Sequence, residues 1–166
     1  MLSDGHLDPW EGGWLGVAEH RNPTPAEITI MAAGAVGLIF SFFDFYKVDA
    51  ITLGSQSYGG ASVNVWSSGL FPVAALMVVF IIVMAAQVAL AKFANVSMPR
   101  MPLGFTWEQA HLVLGGVATL YAVAYLFVDK SNASFGIGYW FILAGCIAAL
   151  VGAVLLQRER ASGPVV

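Results

Sequence analysis

The sequence predicts an all-α membrane protein, a bundle of four transmembrane helices with both ends of the chain on the cytoplasmic side. Three observations predict it. First, 58% of the 166 residues are hydrophobic and only 10% are charged, against about 25% charged in an ordinary soluble domain. A chain this short has too little interior to bury so much apolar surface, so lipid or protein partners must cover the rest. Second, the apolar residues fall into four runs, each near the roughly 20 residues that a helix needs to cross a bilayer core. Third, these runs are apolar all round, as lipid-embedded helices are.

The first run covers about residues 28–46. Thr24, Pro25 and Glu27 open it, with a proline and an acid in the first turn where the helix dipole favours them. Asp44 lies near its far end. The second run, about 71–91, has Pro72 in its first turn and Gln87 as its most polar member. The third, about 109–128, follows the loop prolines Pro99 and Pro102. Thr106 before Trp107, Glu108 and Gln109 reads as its N-cap, and His111 lies in its first turns. The fourth, about 135–156, is closed by Arg158 and Arg160. Residues 1–25 then form a cytoplasmic arm, 26–157 the transmembrane domain, and 158–166 a cytoplasmic tail.

The arm carries Asp4, Asp8, Glu11 and Glu19 and lacks a basic leader before an apolar core. It is not expected to act as a secretory signal, which leaves targeting to the first span. His6 and His20 join its acids in no recognised metal spacing. Trp10, Trp14, Leu15 and Val17 suit either a disordered arm or a short amphipathic helix lying on a membrane or a partner.

Basic residues set the orientation, because lysine and arginine stay on the cytoplasmic side. With the N-terminus inside, Arg21, Lys92, Arg100, Arg158 and Arg160 are inside and only Lys47 and Lys130 are outside. Aromatic residues mark the rims: Phe42, Phe43, Phe45, Tyr46, Tyr139 and Trp140 outside, Trp107 inside. The longest connection, about 47–70, is then the first extracytoplasmic loop. Tyr58-Gly59-Gly60 signals a turn there. Ala61 to Trp66 alternates and can pair with Ile51–Leu53 in a short β-hairpin. Tyr58 and Trp66 are the landmarks of this loop. The second outer loop, 129–134, is short enough to make the third and fourth helices antiparallel neighbours.

Helices in lipid gain little from burying apolar surface on each other, so close approach through small residues matters more. Ala33, Gly37 and Ser41 recur at steps of four in the first span, as do Ala144, Ala148 and Gly152 in the fourth, with Gly145, Ala149 and Ala153 beside them. The third span offers Gly115 and Thr119. These stripes suit packing within the bundle or against a partner.

Few residues offer chemistry. Asp44 is an acid inside a span, but near an end where water and Lys47 are in reach. His111 follows Glu108 by three positions, half of a di-metal helix pattern with no second half in the other spans. Gln87 is placed to hydrogen-bond the third helix, at His111 or Glu108. Cys146 is the single cysteine and forms neither an internal disulfide nor a metal pair. No catalytic residue, cofactor or metal site is expected, and a net charge of -3 argues against nucleic acid. The expected partners are the lipid bilayer and other membrane-protein subunits.

Three segments carry a resemblance: FFDFYKV ending the first span, NVWSSGLFP entering the second, and MPRMPLGFTWEQAHLVLGG entering the third. From about Glu27 to Gln157 the chain resembles a group of small four-helix membrane proteins of actinobacteria, in which proline often stands at the position of Asp44. A mycobacterial accessory subunit of Mce-type lipid importers is similar in general kind. The resemblance implies an accessory role and brings no catalytic residues. The leading expectation is a non-catalytic accessory or scaffold subunit of a larger complex in the cell membrane, with a lipid transporter as one candidate. The alternative is an independent small transporter or channel, assembled as an oligomer and seeded by Asp44, Gln87 and His111.

Overall fold

A threonine and a glutamate start the first helix, α1 (Pro25–Phe40). The Glu27 N–H donates to Thr24 Oγ1 at 3.3 Å, and the Thr24 N–H donates to Glu27 Oε2 at 2.8 Å. This reciprocal box satisfies two amide groups that a helix start otherwise leaves open. Thr106 and Gln109 repeat it at the start of α3 (Trp107–Ala124). Both caps stand where the sequence indicates them. The structure is a computed structural model that describes residues 22–94, 96, 104–128 and 133–161. Residues 1–21 of the N-terminal arm, with His6, His20, Trp10, Trp14 and Arg21, the basic residues Arg100 and Lys130, and the last five residues lie outside the described residues.

The chain is mostly helical. α2 (Val73–Phe93), α3 with the 3-10 turn Tyr125–Phe127 that extends it, and α4 (Ile137–Ala161) are each long and apolar enough to cross a membrane. Three such helices among the described residues make this a multi-pass membrane protein. α1 is apolar but shorter. Its 16 residues span about 24 Å, against a hydrocarbon core of roughly 30 Å.

The first apolar run therefore does not stay helical to Tyr46. After Phe40 the chain turns, and Tyr46 begins a strand. Hydropathy cannot separate a helix from a buried extended segment, and here tertiary pairing decides. The Phe45 N–H donates to the Val63 carbonyl at 2.7 Å, and the Gly136 N–H donates to the Phe45 carbonyl at 2.9 Å. Ser41 Oγ donates back to the Leu38 carbonyl at 2.6 Å, and Trp66 Nε1 donates to Ser41 Oγ at 3.0 Å. Non-helical backbone is tolerated here because protein groups satisfy it.

Five short strands cap this end: β1 (Tyr46–Val48), β2 (Ile51–Leu53), β3 (Gln56–Tyr58), β4 (Ala61–Val63) and β5 (Ala133–Phe135). β1 lies between β4 and β5, antiparallel to both, and β2 pairs with β3. The expected pairing of Ile51–Leu53 with the stretch from Ala61 is thus corrected. Gly54, at φ 66, turns the chain tightly enough for β2 to meet β3, and β4 returns to β1. Beyond Val63 the alternation ends, because Asn64 Oδ1 accepts from the Trp66 N–H at 3.1 Å and curls the chain. β5 was not expected, and the fourth helix starts at Ile137, after it.

Four larger helix contacts build the bundle, α1 with α2, α1 with α4, α2 with α3 and α3 with α4, and α2 makes a smaller contact with α4. Sequential neighbours are antiparallel. Glu27 meets Lys92 at one end of α1–α2, while Gly37 meets Ile81 further along. Glu108 meets Arg160 at the same end of α3–α4, and Tyr139 meets Ala122 near the other. The core between them is apolar and fully buried, with Ile30, Met77, Ile81, Met84, Ile142 and Cys146 at its centre. One end of the bundle carries the Glu27–Lys92 and Glu108–Arg160 pairs and the other carries the sheet.

Candidate functional site

At the sheet end, aromatic rings do the sealing. Phe45 is fully buried and meets Tyr46, Tyr125 and Tyr139 edge-on at centroid distances of 5.0, 5.2 and 5.3 Å. Phe135 stacks on Tyr139 at 3.8 Å, and Phe40 on Phe141 at 3.9 Å. Such geometries add to simple area burial. Tyr139 Oη donates to the Ala122 carbonyl at 2.9 Å, tying α4 to α3. The Tyr46 hydroxyl is buried with no hydrogen-bond partner among the described residues. Desolvation, and then the nearby Tyr125, push its pKa up.

Asp44 lies just outside α1, in the turn before β1. Its carboxylate is 3.2 Å from Lys47 Nζ, and both side chains are well exposed. The Ser62 hydroxyl, and then Lys47, hold the carboxyl below its ordinary pKa. Asp44 is therefore an exposed ion-pair residue in the turn after α1 and not a lone acid in the apolar interior.

The strands between Tyr46 and Val63 form one arm. Stepping three residues forward from Val48 and three back from Ala61 carries that pair onto Ile51 and Tyr58, so both ladders share a register. Between the ladders sit Gly59 and Gly60, at φ 88 and 85. Their backbone lies in a region that other residues rarely enter. The near half of the arm rests on β5, with Tyr46 in the aromatic cluster. The far half, β2 and β3, is exposed at every residue. Cross-strand partners share a face, so Ile51, Leu53, Gln56 and Tyr58 stand on one side. Thr52 and Ser57, 3.4 Å apart, stand on the other. Tyr58 donates to Gln56 along the first side. Trp66 lies lower, bonded to Ser41 and tilted against Phe42.

At the opposite end, Lys92 Nζ lies 3.0 Å from Glu27 Oε1, and Arg160 Nη1 lies 2.7 Å from Glu108 Oε1. Glu108 is a buried acid within α3, which begins at Trp107, two residues before the expected start. The capping threonine already carried that signal. Arg158 and Arg160 lie in the last turns of α4, which runs to Ala161. His111 is only 2% exposed, and neither ring nitrogen has a partner among the described residues. Gln87 Oε1 is likewise buried and unpartnered, so the expected direct bond from Gln87 to His111 or Glu108 is not made through this atom.

The small-residue stripes divide. Ala33, Gly37, Gly115 and Gly152 pack inside the bundle. A Cβ on Gly152 would lie 3.2 Å from the Ala26 carbonyl oxygen, and one on Gly115 would lie 3.1 Å from Leu150 Cα. Thr119 Oγ1 donates toward the carbonyls of Gly115 at 2.8 Å and Cys146 at 3.0 Å. Ser41 is buried under Trp66. The working stripe of α4 is Gly138, Gly145 and Gly152, at steps of seven, which is two helix turns. Ala144 and Ala148 do not continue it. With Thr29, Ala32 and Val36 they line an open apolar groove of 420 Å³ between α1 and α4.

Among the described residues, no three His, Cys, Asp or Glu side chains gather as a metal site would require. The arrangement can do two things chemically: bind apolar surface at the arm and groove, and hold polar groups at the ion-pair end. No protein-family model matches the chain, and no curated protein matches it either.

Proposed function

We propose that the chain is a non-catalytic accessory subunit of a larger complex in the cell membrane, and that the far half of the β-arm docks on a neighbouring subunit. One observation carries this reading: Ile51, Leu53 and Tyr58 share a face and stand 62%, 67% and 55% exposed. An isolated two-stranded ribbon is marginally stable in water, and an apolar ribbon with free edges invites another chain. An accessory subunit needs such a surface. The resemblance to small actinobacterial membrane proteins favours an envelope complex, with a lipid importer as its first candidate.

In this reading α1 is the fourth span, extended to the interface by the capped turn after Phe40. The ion-pair end faces the cytoplasm. Lys92, Arg158 and Arg160 are at that end and Lys47 is at the other, which is the charge bias of an N-in, C-in protein. A polar pathway, which a transporter would need, has its seeds at opposite ends: Asp44 at the sheet, Gln87 and His111 at the ion pairs, with Ile30, Met77, Ile81 and Ile142 between.

Purification from native membranes in mild detergent tests the proposal. A co-purifying membrane or envelope protein, identified by mass spectrometry, is the expected result. Recovery as a lone monomer, with no protein enriched over a tag-only control, contradicts it.

A further inference from the structure

His111 is the least satisfied polar side chain inside the bundle. It is 2% exposed, and both ring nitrogens lack partners among the described residues. A neutral imidazole has one N–H to donate and one nitrogen to accept, so both capacities stand open. Buried polar groups in folded proteins are paired with protein or with ordered water in the large majority of cases. Some ligand with hydrogen-bonding capacity on both sides fits this ring.

The helix register brings a second open group to the same level. A Cβ on Gly115 of α3 would lie 3.4 Å from Met84 Cε of α2. The two helices are antiparallel, and each leads from this contact toward the ion-pair end. Gln87 lies three residues beyond Met84 and His111 four before Gly115, so their heights differ by about 1.5 Å. Positions three and four apart share a helix face. Gln87 thus lies on the side of α2 that meets α3, and His111 on the side of α3 that carries Gly115. Gln87 Oε1 is a buried acceptor with no partner among the described residues.

The charged groups nearby are already matched. Glu108, one turn from His111 on α3, is held by Arg160 of α4 at 2.7 Å, and Lys92 of α2 is held by Glu27 of α1 at 3.0 Å. A charged imidazolium buried here would need a counter-charge, and Glu108, the acid on its own helix, is already held by Arg160. A metal would need further ligands, and the described residues gather no such set. A neutral molecule that both donates and accepts is what remains, and a buried water with two to four polar partners is the smallest that qualifies.

We propose that His111 holds ordered water inside the bundle, with one molecule accepting from a ring N–H and donating to Gln87 Oε1. This water pins α2 to α3 one turn in from the ion-pair end. It is independent of what the β-arm binds.

Water-edited solid-state NMR on the full-length chain, 15N-labelled at histidine and reconstituted in phosphatidylcholine liposomes, tests it. His111→Phe assigns the signal against His6 and His20. At neutral pH the expected result is a neutral imidazole whose ring nitrogens gain magnetisation from water several-fold faster than the Cys146 amide, labelled separately. In Gln87→Leu that transfer falls at least twofold at one nitrogen, while Gln87→Glu keeps an acceptor and keeps the transfer. An imidazolium signal overturns the proposal. So does transfer in the unaltered protein no faster than at Cys146, a result that needs no variant to fold.

Discussion

Along the α1–α4 seam, glycines at 138, 145 and 152 bring backbone against backbone. Along the far half of the β-arm, Ile51, Leu53 and Tyr58 stand exposed among the described residues. Both regions are rich in apolar residues, and they differ in what those residues touch. The seam is already spent on the fold. In lipid its strength comes from close approach, because tails outside are as apolar as side chains inside. The arm contributes little to the fold and is free to meet something else. Exposure of an apolar face on a β-ribbon therefore says more about partners than the composition of the spans does.

The sharpest way to break this comparison is Gly138→Ala. The added methyl would sit 2.8 Å from the Phe43 carbonyl oxygen and 2.9 Å from those of Asp44 and Phe40. These are backbone atoms at the root of the cap, so they cannot swing aside. A loss of about 2–3 kcal/mol is expected, at the upper range of overpacking, read as a shift in denaturant unfolding in mixed micelles. Ile51→Ser in the arm should change the same measurement by less than about 0.5 kcal/mol, as exposed substitutions do. Equal losses at the two sites would end the distinction.

Arg160→Ala comes next. It strands Glu108, whose side chain is 9% exposed, while Arg160 itself is 68% exposed. The loss should fall between the exposed and buried limits for ion pairs, about 1–2 kcal/mol. Glu108→Gln in the Arg160→Ala background should recover part of it. A full-sized loss in the double variant would mean that the pair was not the cause.

Asp44→Asn gives the smallest effect. Ser62 and Lys47 hold the Asp44 carboxyl below its ordinary pKa. Its contribution is therefore complete above the ordinary aspartate range and is lost as pH falls through the lowered folded value. The native cap should loosen slightly on acidification within that window, read by tryptophan fluorescence of the chain with Trp66 as its single tryptophan. Asp44→Asn should flatten that step. A step that survives the substitution assigns the titration elsewhere.

Much of the helical frame was legible. Thr24 and Thr106 marked two helix starts, because caps are local chemistry. The three long spans were legible from length and hydropathy. Two strands of the cap, Ile51–Leu53 and Ala61–Val63, were legible as well, but their pairing was not, because it is made by distant contacts. Phe42, Phe43, Phe45 and Tyr46 continue an apolar run, and only the carbonyl of Val63 and the amide of Gly136 turn that run into a sheet. Gly54 was the overlooked signal for β2 meeting β3. Small-residue steps of four marked two rows on the fourth span: Gly145, Ala149 and Ala153 are buried in the bundle, whereas Ala144 and Ala148 line the groove. His111 looked like a polar residue at a helix start. It is 2% exposed, a result of tertiary packing that no periodicity within α3 records.

The central claim is that the arm, and not the spans' polar residues, carries the function. It is tested most directly by replacing Ile51, Leu53 and Tyr58 with serine together and repeating the native-membrane purification. The account predicts an unchanged yield of folded chain and at least a tenfold loss of the co-purifying subunit. Undiminished co-purification with the arm's apolar face removed would contradict it.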